Sequence, residues 1–216
     1  MTATAGSKST RAAATRELIL TAAERLFAEQ GVFAISNRQV SEAAGQGNNA
    51  AVGYHFGTKT DLVLAIVNKH SLQVEETRAR MLEETEELTD IRAWISCLVL
   101  PSTQHMAQLG TPSWYARFNA QVQTDPSLRV LAYQETERVS PSLTTLVQGL
   151  ASAVEHLPPE TRKARATMGR HLMTHMTAER ELQLASDDNA DAASWDDFGT
   201  ELIDAITGIW NAPVTH

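Results

Sequence analysis

The sequence predicts an all-α fold in which a three-helix N-terminal unit precedes a larger helical domain. Apolar residues recur at the three- and four-residue spacing of helices along most of the 216 residues. Two helix-start signals flank a glycine-containing turn between residues 36 and 61. No stretch alternates apolar and polar residues as half-buried β-strands do, and all seven prolines lie after residue 100.

The first predicted helix follows the segment TRELILTAAERLFAEQG, which begins at Thr15. Its apolar residues fall on one helical face, namely Leu18, Ile19, Ala22, Leu26 and Phe27. Phe33 and Ile35 follow this helix and are expected to close its packing against the next one.

The second predicted helix begins after Ser36. Ser36 and Gln39, three residues later, form a capping box, in which each side chain satisfies a free backbone N–H of the other residue. Val40 and the two alanines that follow it at helical spacing point inward. Gly45 ends the helix, because glycine readily adopts the left-handed conformation that follows many helices.

The third predicted helix follows the turn Gly45-Gln46-Gly47. Either Asn48 or Asn49 supplies its N-cap. Val52 and Phe56, four residues apart, share its buried face. The opposite face is small and polar, and it consists of Asn49, Ala50, Gly53 and Tyr54.

The fourth predicted helix is long, running from Lys59 to about Glu87. Thr58 and Asp61 form a second capping box at its start. This places Lys59 in the first turn, where a phosphate would also meet free backbone N–H groups.

Two short helices around a glycine turn, followed at once by a long helix, predict a helix-turn-helix that inserts the third helix in the DNA major groove. We expect Arg38 to contact a base edge or a phosphate, and Tyr54, His55 and Lys59 to contact phosphates. One asparagine of the turn caps and the other pairs with adenine or touches phosphate. The candidate DNA contacts are Ser36, Asn37, Arg38, Asn48, Asn49, Ala50, Gly53, Tyr54, His55, Thr58 and Lys59.

Charge is distributed unevenly along the chain. The net charge is −8, yet residues 1–60 contain six Lys or Arg against four Glu, which gives +2, while the remainder carries −10. DNA would therefore be approached by the N-terminal unit first. Residues 1–13 are expected to form a flexible arm, which either reaches a minor groove or is a disordered terminus.

These N-terminal residues resemble the TetR family of one-component bacterial transcriptional regulators. The resemblance runs from Thr15 to about Asn68 and includes S-x-R-x-V-x-x-A-A-G and Y-H-F-G-x-K-x-x-L. The turn is one residue longer than is common in the family, and Gly53 replaces a frequent tyrosine. The resemblance implies a homodimer, an all-α effector-binding C-terminal domain, and release of DNA when the effector binds.

Composition is consistent with a cytoplasmic protein. The chain has no run of 18 apolar residues, and residues 1–14 lack the apolar centre of a signal peptide. Its single cysteine, Cys97, cannot form an internal disulfide. We therefore expect a soluble, cytoplasmic protein without membrane association, divided into a DNA-binding domain at 14–73 and an effector-binding and dimerisation domain at 74–216.

The second domain is predicted to contain six further helices. They lie near 89–107, 112–123, 126–137, 141–156, 159–185 and 194–211, and Pro101 is expected to kink the first of them. The acidic run at 83–87 is expected to be a solvated face, and residues 186–193 a polar loop.

An aromatic-rich apolar face in this domain predicts an effector pocket between the helices that carry Trp94 and Trp114. Most such residues form core, but pockets are concave and largely apolar, and tryptophan adds one N–H donor. The effector is expected to be a small apolar or amphipathic molecule. The candidate residues are Trp94, Cys97, Leu98, His105, Trp114, Phe118 and Asn119.

The last two helices are predicted to form the homodimer interface as a four-helix bundle across a two-fold axis. The candidate interface residues are Met168, Leu172, Met176, Leu202, Ile206 and Ile209. Two recognition helices would then lie about 34 to 36 Å apart and read a near-palindromic operator.

Catalytic and metal-binding interpretations are weaker. The sequence contains no nucleophile elbow and no phosphate-binding glycine loop, so we expect no enzyme, no cofactor and no catalytic residue. His171 and His175 have a spacing that can bind metal, but a partner helix explains them more simply, so no metal is expected. The sequence thus predicts a homodimeric regulator, most simply a repressor; its alternatives are a ligand-independent DNA-binding protein and, more remotely, a helical enzyme.

Overall fold

A computed structural model describes residues 3–84, 90–186 and 195–215, with side chains from residue 10 onward. Ten α-helices and no strand occur in these ranges, which confirms the all-α prediction. The helices are α1 (Ala3–Gln30), α2 (Asn37–Ala43), α3 (Ala51–Phe56), α4 (Lys59–Glu84), α5 (Ile91–Leu109), α6 (Tyr115–Thr124), α7 (Pro126–Val139), α8 (Pro141–Ala153), α9 (Pro159–Ser186) and α10 (Trp195–Asn211).

Helix α1 begins at Ala3, so the segment for which the sequence predicted a flexible arm is helical in the structure. The residues RAAA at 11–14 are strong helix formers, which favours extension of α1 ahead of Thr15. The helix ends at Gly31, whose φ of 92° lies in the left-handed region that a side chain disfavours.

Proline and aspartate mark the helix starts of the second domain. Asp90 caps α5 by accepting the N–H of Ala93 at 2.8 Å, and Asp125 caps α7 ahead of Pro126. Helix α5 continues through Pro101, the position of the expected kink. The polar loop predicted at 186–193 and most of the acidic run lie outside the described residues.

The first hydrophobic core is shared by the N-terminal unit and the second domain. It is centred where α1 packs against α4 and α6, and Phe27 lies 6.2 Å from Phe118 between ring centroids. Buried residues from α2 and α3, such as Val40 and Val52, belong to the same cluster. Helices α2 and α3 are therefore joined to α6 through α1 in one continuous core.

A second core lies where α5 packs against α10, and α9 and α8 flank it. Ile95 and Val99 of α5 meet Ile203 and Ile206 of α10, and all four side chains are buried. Helix α10 approaches α5 closely at Gly199, where a Cβ would lie 2.9 Å from Thr103 Oγ1. Leu202, Ile203 and Ile206 of α10 are therefore buried within this chain.

Within the described ranges, no helix combines the length with the mean hydropathy that crossing a bilayer requires.

Candidate DNA-binding surface

The capping box predicted at Ser36 is confirmed. Ser36 Oγ accepts the backbone N–H of Gln39 at 3.3 Å, and Gln39 Oε1 accepts the backbone N–H of Ser36 at 2.9 Å. Gly45, at φ 67°, follows the end of α2 as predicted. Helix α2 is thus held at both ends by local contacts that the sequence specifies.

The start of α3 differs from the prediction. Its N-cap position is Ala50, which has no side-chain cap, so neither asparagine occupies that position. Asn48 instead stabilises the turn that precedes the helix, because its Oδ1 accepts the N–H of Ala50 at 2.9 Å. Asn49 stays exposed, and its carbonyl accepts a hydrogen bond from Ser41 Oγ of α2 at 3.4 Å. The longer turn moves the helix start by one or two residues.

The outer face of α3 is open to solvent, as the sequence predicted. Tyr54 is 84% exposed, and a Cβ at Gly53 would meet nothing within 4 Å. Asn49 and Ala50 are exposed on the same side, whereas Val52 is fully buried. The exposed surface of α3 is therefore small and polar, and Tyr54 projects from it.

Arg16 of α1 holds the C-terminal end of α3, a role that sequence reasoning missed. Its Nη1 donates to the carbonyl of His55 at 2.7 Å, and its guanidinium lies 4.1 Å from the ring centroid of Phe56. The carbonyls at the end of a short helix lack intrahelical donors, so this arginine satisfies one of them. His55 in turn contacts Tyr54 edge-on, with ring centroids 5.0 Å apart.

The second capping box, at Thr58 and Asp61, is also confirmed. Asp61 Oδ2 accepts from the Thr58 hydroxyl at 2.7 Å and from its N–H at 2.9 Å, and these hydrogen bonds lower the pKa of Asp61. Lys59, half-buried beside it, donates from Nζ to the carbonyl of Val32 at 3.2 Å. The lysine thus holds the loop between α1 and α2 against the start of α4.

The first residues of α2 carry further candidate contacts. Arg38 is exposed and pairs with Glu42 one turn on, with Nε 2.7 Å from Oε1, and this pairing raises the pKa of the guanidinium. The carbonyl oxygen of the Asn37 side chain is buried and has no hydrogen-bond partner among the described residues. The Ser36 hydroxyl takes part in the capping box and donates to Gln39 Oε1 at 2.8 Å.

Residues 19–66, which contain the two confirmed capping boxes and α3, match the model of the family described as bacterial regulatory proteins, tetR family. This part of the chain is therefore similar to the N-terminal domain of the tetR-family regulators. No curated protein sequence matches the chain.

Two solved structures of tetR-family regulators share the fold over nearly the whole chain. One is from Marinobacter aquaeolei, with a TM-score of 0.57, 18% identity and coverage of 94% of this chain and 96% of that one. The other is PfmR from Thermus thermophilus, with a TM-score of 0.53, 16% identity and coverage of 88% and 96%. At these identities the likeness concerns the fold.

The two tryptophans of the expected effector pocket lie in different neighbourhoods. Trp94 packs on α8 so closely that a Cβ at Gly149 would lie 2.2 Å from its ring. Trp114 instead lines a groove of about 840 Å³ with residues of α1 and α2, including Leu18, Arg25 and Ala44. Helix α5 packs on α4, α8 and α10, whereas α6 packs on α1, α7 and α9, which explains the separation.

The other expected pocket residues are divided between core and polar contacts. Phe118 is fully buried in the shared core, and Asn119 is half-buried beside it on α6. Cys97 is buried, which raises the pKa of its thiol, and its carbonyl accepts from Arg78 Nε at 3.3 Å. Leu98, on the same helix, is half-buried.

His105 belongs to a buried polar chain that joins three helices. Its Nε2 lies 2.7 Å from His70 Nδ1, and His70 Nε2 lies 2.9 Å from Glu24 Oε2 of α1. Tyr115 stacks on His70 at 3.7 Å between centroids. Burial, with smaller effects of His70 and Lys69, lowers the pKa of His105 to about 4, so its ring is neutral at pH 7. No sequence spacing links these residues, because each comes from a different helix.

The expected dimer interface requires a correction. Leu202 and Ile206 are 4% and 1% exposed inside the chain's own second core, so they cannot meet a second copy. Their apolar spacing reflects packing on α5, which the sequence pattern cannot distinguish from an interface. Met168 and Met176 are exposed on α9, and Leu172 and Ile209 are half-buried.

Glu181 of α9 is a contact that sequence reasoning missed. It is 1% exposed, and it accepts hydrogen bonds from Ser113 Oγ, from the backbone N–H groups of Ala116 and Arg117, and from Arg117 Nε, at 2.9 to 3.0 Å. Trp114, at the N-cap of α6, has no side-chain cap, so a carboxylate from another helix supplies it. Helices α6 and α9 are thereby locked together.

Proposed function

We propose that the chain is a homodimeric repressor that binds a near-palindromic operator and leaves it when a small apolar or amphipathic effector binds. The observation that carries the proposal is the outer face of α3, where Tyr54 is 84% exposed and a Cβ at Gly53 would meet nothing. The side chains there are small apart from Tyr54, so the backbone of α3 can approach base edges closely.

The contacts around α3 favour a docking pose in which phosphates are held on both sides of it. Lys59 lies in the first turn of α4, and Arg38 projects from the start of α2. Lys59 would exchange the Val32 carbonyl for a phosphate, a stronger charge-assisted partner. Arg16 fixes the end of α3 and thus the direction of Tyr54.

Dimerisation is proposed through the outer face of α9. Met168 and Leu182, which are 55% and 45% exposed, lie within about 40° of each other around the axis of α9. Met176, at 43%, lies about 80° from Met168 on the other side, so the exposed apolar residues span roughly a third of the helix circumference. An exposed apolar surface of this kind is a candidate partner surface. A two-fold axis through this face would pair the two recognition helices about one DNA turn apart, or roughly 34 to 36 Å.

The effector site is proposed at the groove beside Trp114 rather than between α5 and α6. Its lining is mostly apolar, with Leu18 and Ala22 of α1 and Ala44 at the C-cap of α2. The charged residues that line it are Arg25 and Glu17. A ligand there would touch both the helix-turn-helix and the first residues of α6. Such a ligand could change the angle between them, which would move α3 out of register with the second half-site.

The DNA part of the proposal is tested by selecting bound sequences from random duplexes and measuring their affinity by fluorescence anisotropy. Tyr54→Ala should weaken binding by about tenfold or more, the loss of one good contact in each of two half-sites. Tyr133→Ala, which removes an exposed tyrosine of α7, is the matched control and should bind as the unmodified protein does. Equal affinities of the two variants would refute the placement of α3.

Salt dependence tests the phosphate contact of Lys59. Lys59→Ala should reduce the slope of log affinity against log salt by about 0.9 for each subunit, for all sequences alike. Lys69→Ala, which removes a lysine of α4 that pairs with Glu17 of α1, should leave the slope unchanged. A loss confined to one sequence would instead indicate base recognition.

The effector part is tested with anilinonaphthalene sulfonate, which has an apolar body and one anionic group. Its fluorescence should rise on binding, and Leu18→Gln and Arg25→Gln should each reduce its affinity about tenfold. Operator affinity should fall in its presence. Dye binding that both variants leave unchanged would place the effector elsewhere, while the DNA result stands independently.

A further inference from the structure

The N-terminal end of α1 extends ahead of the packed part of the molecule as a continuous helix. The helix begins at Ala3, and residues 10–14 are all exposed. Five consecutive exposed residues cover more than one turn, so every side of the helix faces solvent there. The packed part of α1 supports the extension, because lengthening an existing helix adds one hydrogen bond per residue without a new nucleation step.

The part of α1 from which this extension leaves lies between the ends of α2 and α3. Arg16 Nη1 donates to the carbonyl of His55 at the end of α3, at 2.7 Å. Ala14 lines the same groove as Ala44 and Gly45, which end α2. Residues 3–13 therefore start beside the helix-turn-helix. At about 1.5 Å per residue they are roughly 16 Å long, the length of about five phosphates along one DNA strand.

The extension carries only positive side-chain charge. Its charged residues are Lys8 and Arg11, and the first acidic residue of the chain is Glu17. Glu17 lies about 9 Å further along the helix axis and pairs with Lys69 of α4 at 2.8 Å. Positions 8 and 11 are three apart, so the helix places them on the same face. Two cations without an acidic neighbour favour an anionic partner.

The composition of the extension indicates which anionic partner it fits. Residues 2–15 contain no apolar side chain larger than alanine, whereas helices that bind membrane surfaces or apolar grooves of proteins bury larger apolar residues. Its attraction is therefore electrostatic, as contacts with nucleic-acid phosphates are. The extension is also continuous with the candidate DNA-binding surface through Arg16. Both observations favour DNA.

We propose that residues 3–13 form a rigid helical arm whose Lys8 and Arg11 bind DNA phosphates beyond those that α2, α3 and α4 meet. The inference rests on the proposed operator binding and lengthens the bound DNA outward from each half-site. The arm contributes affinity without base recognition, because phosphate contacts carry no direct sequence information. The modest positive charge of residues 1–60, which is +2, is thereby concentrated where the helix is most exposed.

The test compares two duplexes that contain the same selected operator, measured by fluorescence anisotropy over a range of salt concentrations. One duplex ends at the last specified base pair, and the other has about one further turn of DNA on each side. The unmodified protein should bind the longer duplex more tightly and with a steeper salt dependence. Lys8→Ala and Arg11→Ala should each reduce the slope on the longer duplex by about 0.9 per subunit, and should leave binding to the shorter duplex unchanged.

Two further variants separate the arm from general charge effects and from a flexible tail. Arg80→Ala removes an exposed arginine near the far end of α4, and it should leave both slopes unchanged. Ala12→Pro keeps both cations but interrupts the helix, and it should abolish the gain from the longer duplex. Because residue 12 is exposed ahead of the core, the rest of the chain should remain folded.

The outcomes distinguish the arm from operator binding itself. Equal slopes for the unmodified protein and Arg11→Ala on the longer duplex would overturn the arm and leave operator binding standing. Full retention of the gain by Ala12→Pro would overturn the rigid helical geometry. A protein that bound neither duplex would overturn the proposed function, and the arm with it.

Discussion

Replacing Glu181 with alanine should lower the free energy of unfolding by about 3 to 5 kcal/mol, the usual result of removing one partner of a buried ion pair. The carboxylate is 1% exposed and accepts four hydrogen bonds, two of them from backbone N–H groups in the first turn of α6. Its loss would leave Arg117 Nε and both N–H groups without this acceptor, while Arg117 Nη2 keeps the carbonyl of Ser113. The lost cap alone accounts for about 1 kcal/mol, and the unpaired buried groups account for the rest.

The measurement is urea unfolding followed by circular dichroism, at a protein concentration that keeps the oligomeric state constant. Glu181→Gln should lose less, about 1 to 3 kcal/mol, because its amide oxygen still accepts while its amide nitrogen faces donors. Glu179→Gln is the control on the same helix, and because Glu179 is exposed the change should stay within about 0.5 kcal/mol. A loss below about 1 kcal/mol for Glu181→Ala would show that water or a local shift replaces the carboxylate. It would refute the idea that Glu181 stabilises the contact between α6 and α9.

Three further outcomes follow from packing and charge. Gly149→Ala should cost about 1 to 3 kcal/mol, since its Cβ would overlap the tryptophan ring of α5, whereas Gly208→Ala, with no atom within 4 Å, should be neutral or stabilising in urea unfolding. Ile206→Asp should unfold the chain, whereas Met168→Asp should leave it folded but monomeric by sedimentation. Stability should fall as pH decreases from 6.5 towards about 4, because the unfolded state protonates His105 more readily than the folded state does. His105→Gln should flatten that part of the pH profile, and an unchanged profile would assign the titration to another group.

Local signals in the sequence determined what could be predicted. The capping boxes at Ser36 and Thr58 involve residues three apart, so their hydrogen bonds were readable in the sequence and the structure contains them. The burial of Val52 and the exposure of Tyr54 follow from helical spacing alone. The start of α3 was wrong because Asn48 bonds within the turn instead of capping the helix, and both roles suit asparagine.

Contacts between distant helices were beyond the sequence. Glu181 and Ser113 are 68 positions apart, and nothing in either segment signals the other. Leu202 and Ile206 have the same apolar spacing whether they meet α5 of their own chain or a second copy. Periodicity identifies which face of a helix is apolar, but it does not identify the partner of that face.

Because α1 contributes to the same core as α6, helices α1 to α4 are not expected to fold independently of the rest of the chain. Cutting the chain near residue 73 would leave Phe27 without Phe118 and expose a surface that is buried in the intact molecule. Thermal unfolding should accordingly show one transition for both regions. A chimera that transplants the first 73 residues onto another regulator would need a matching aromatic at the position of Phe118, and the two positions are expected to vary together among descendants of this chain.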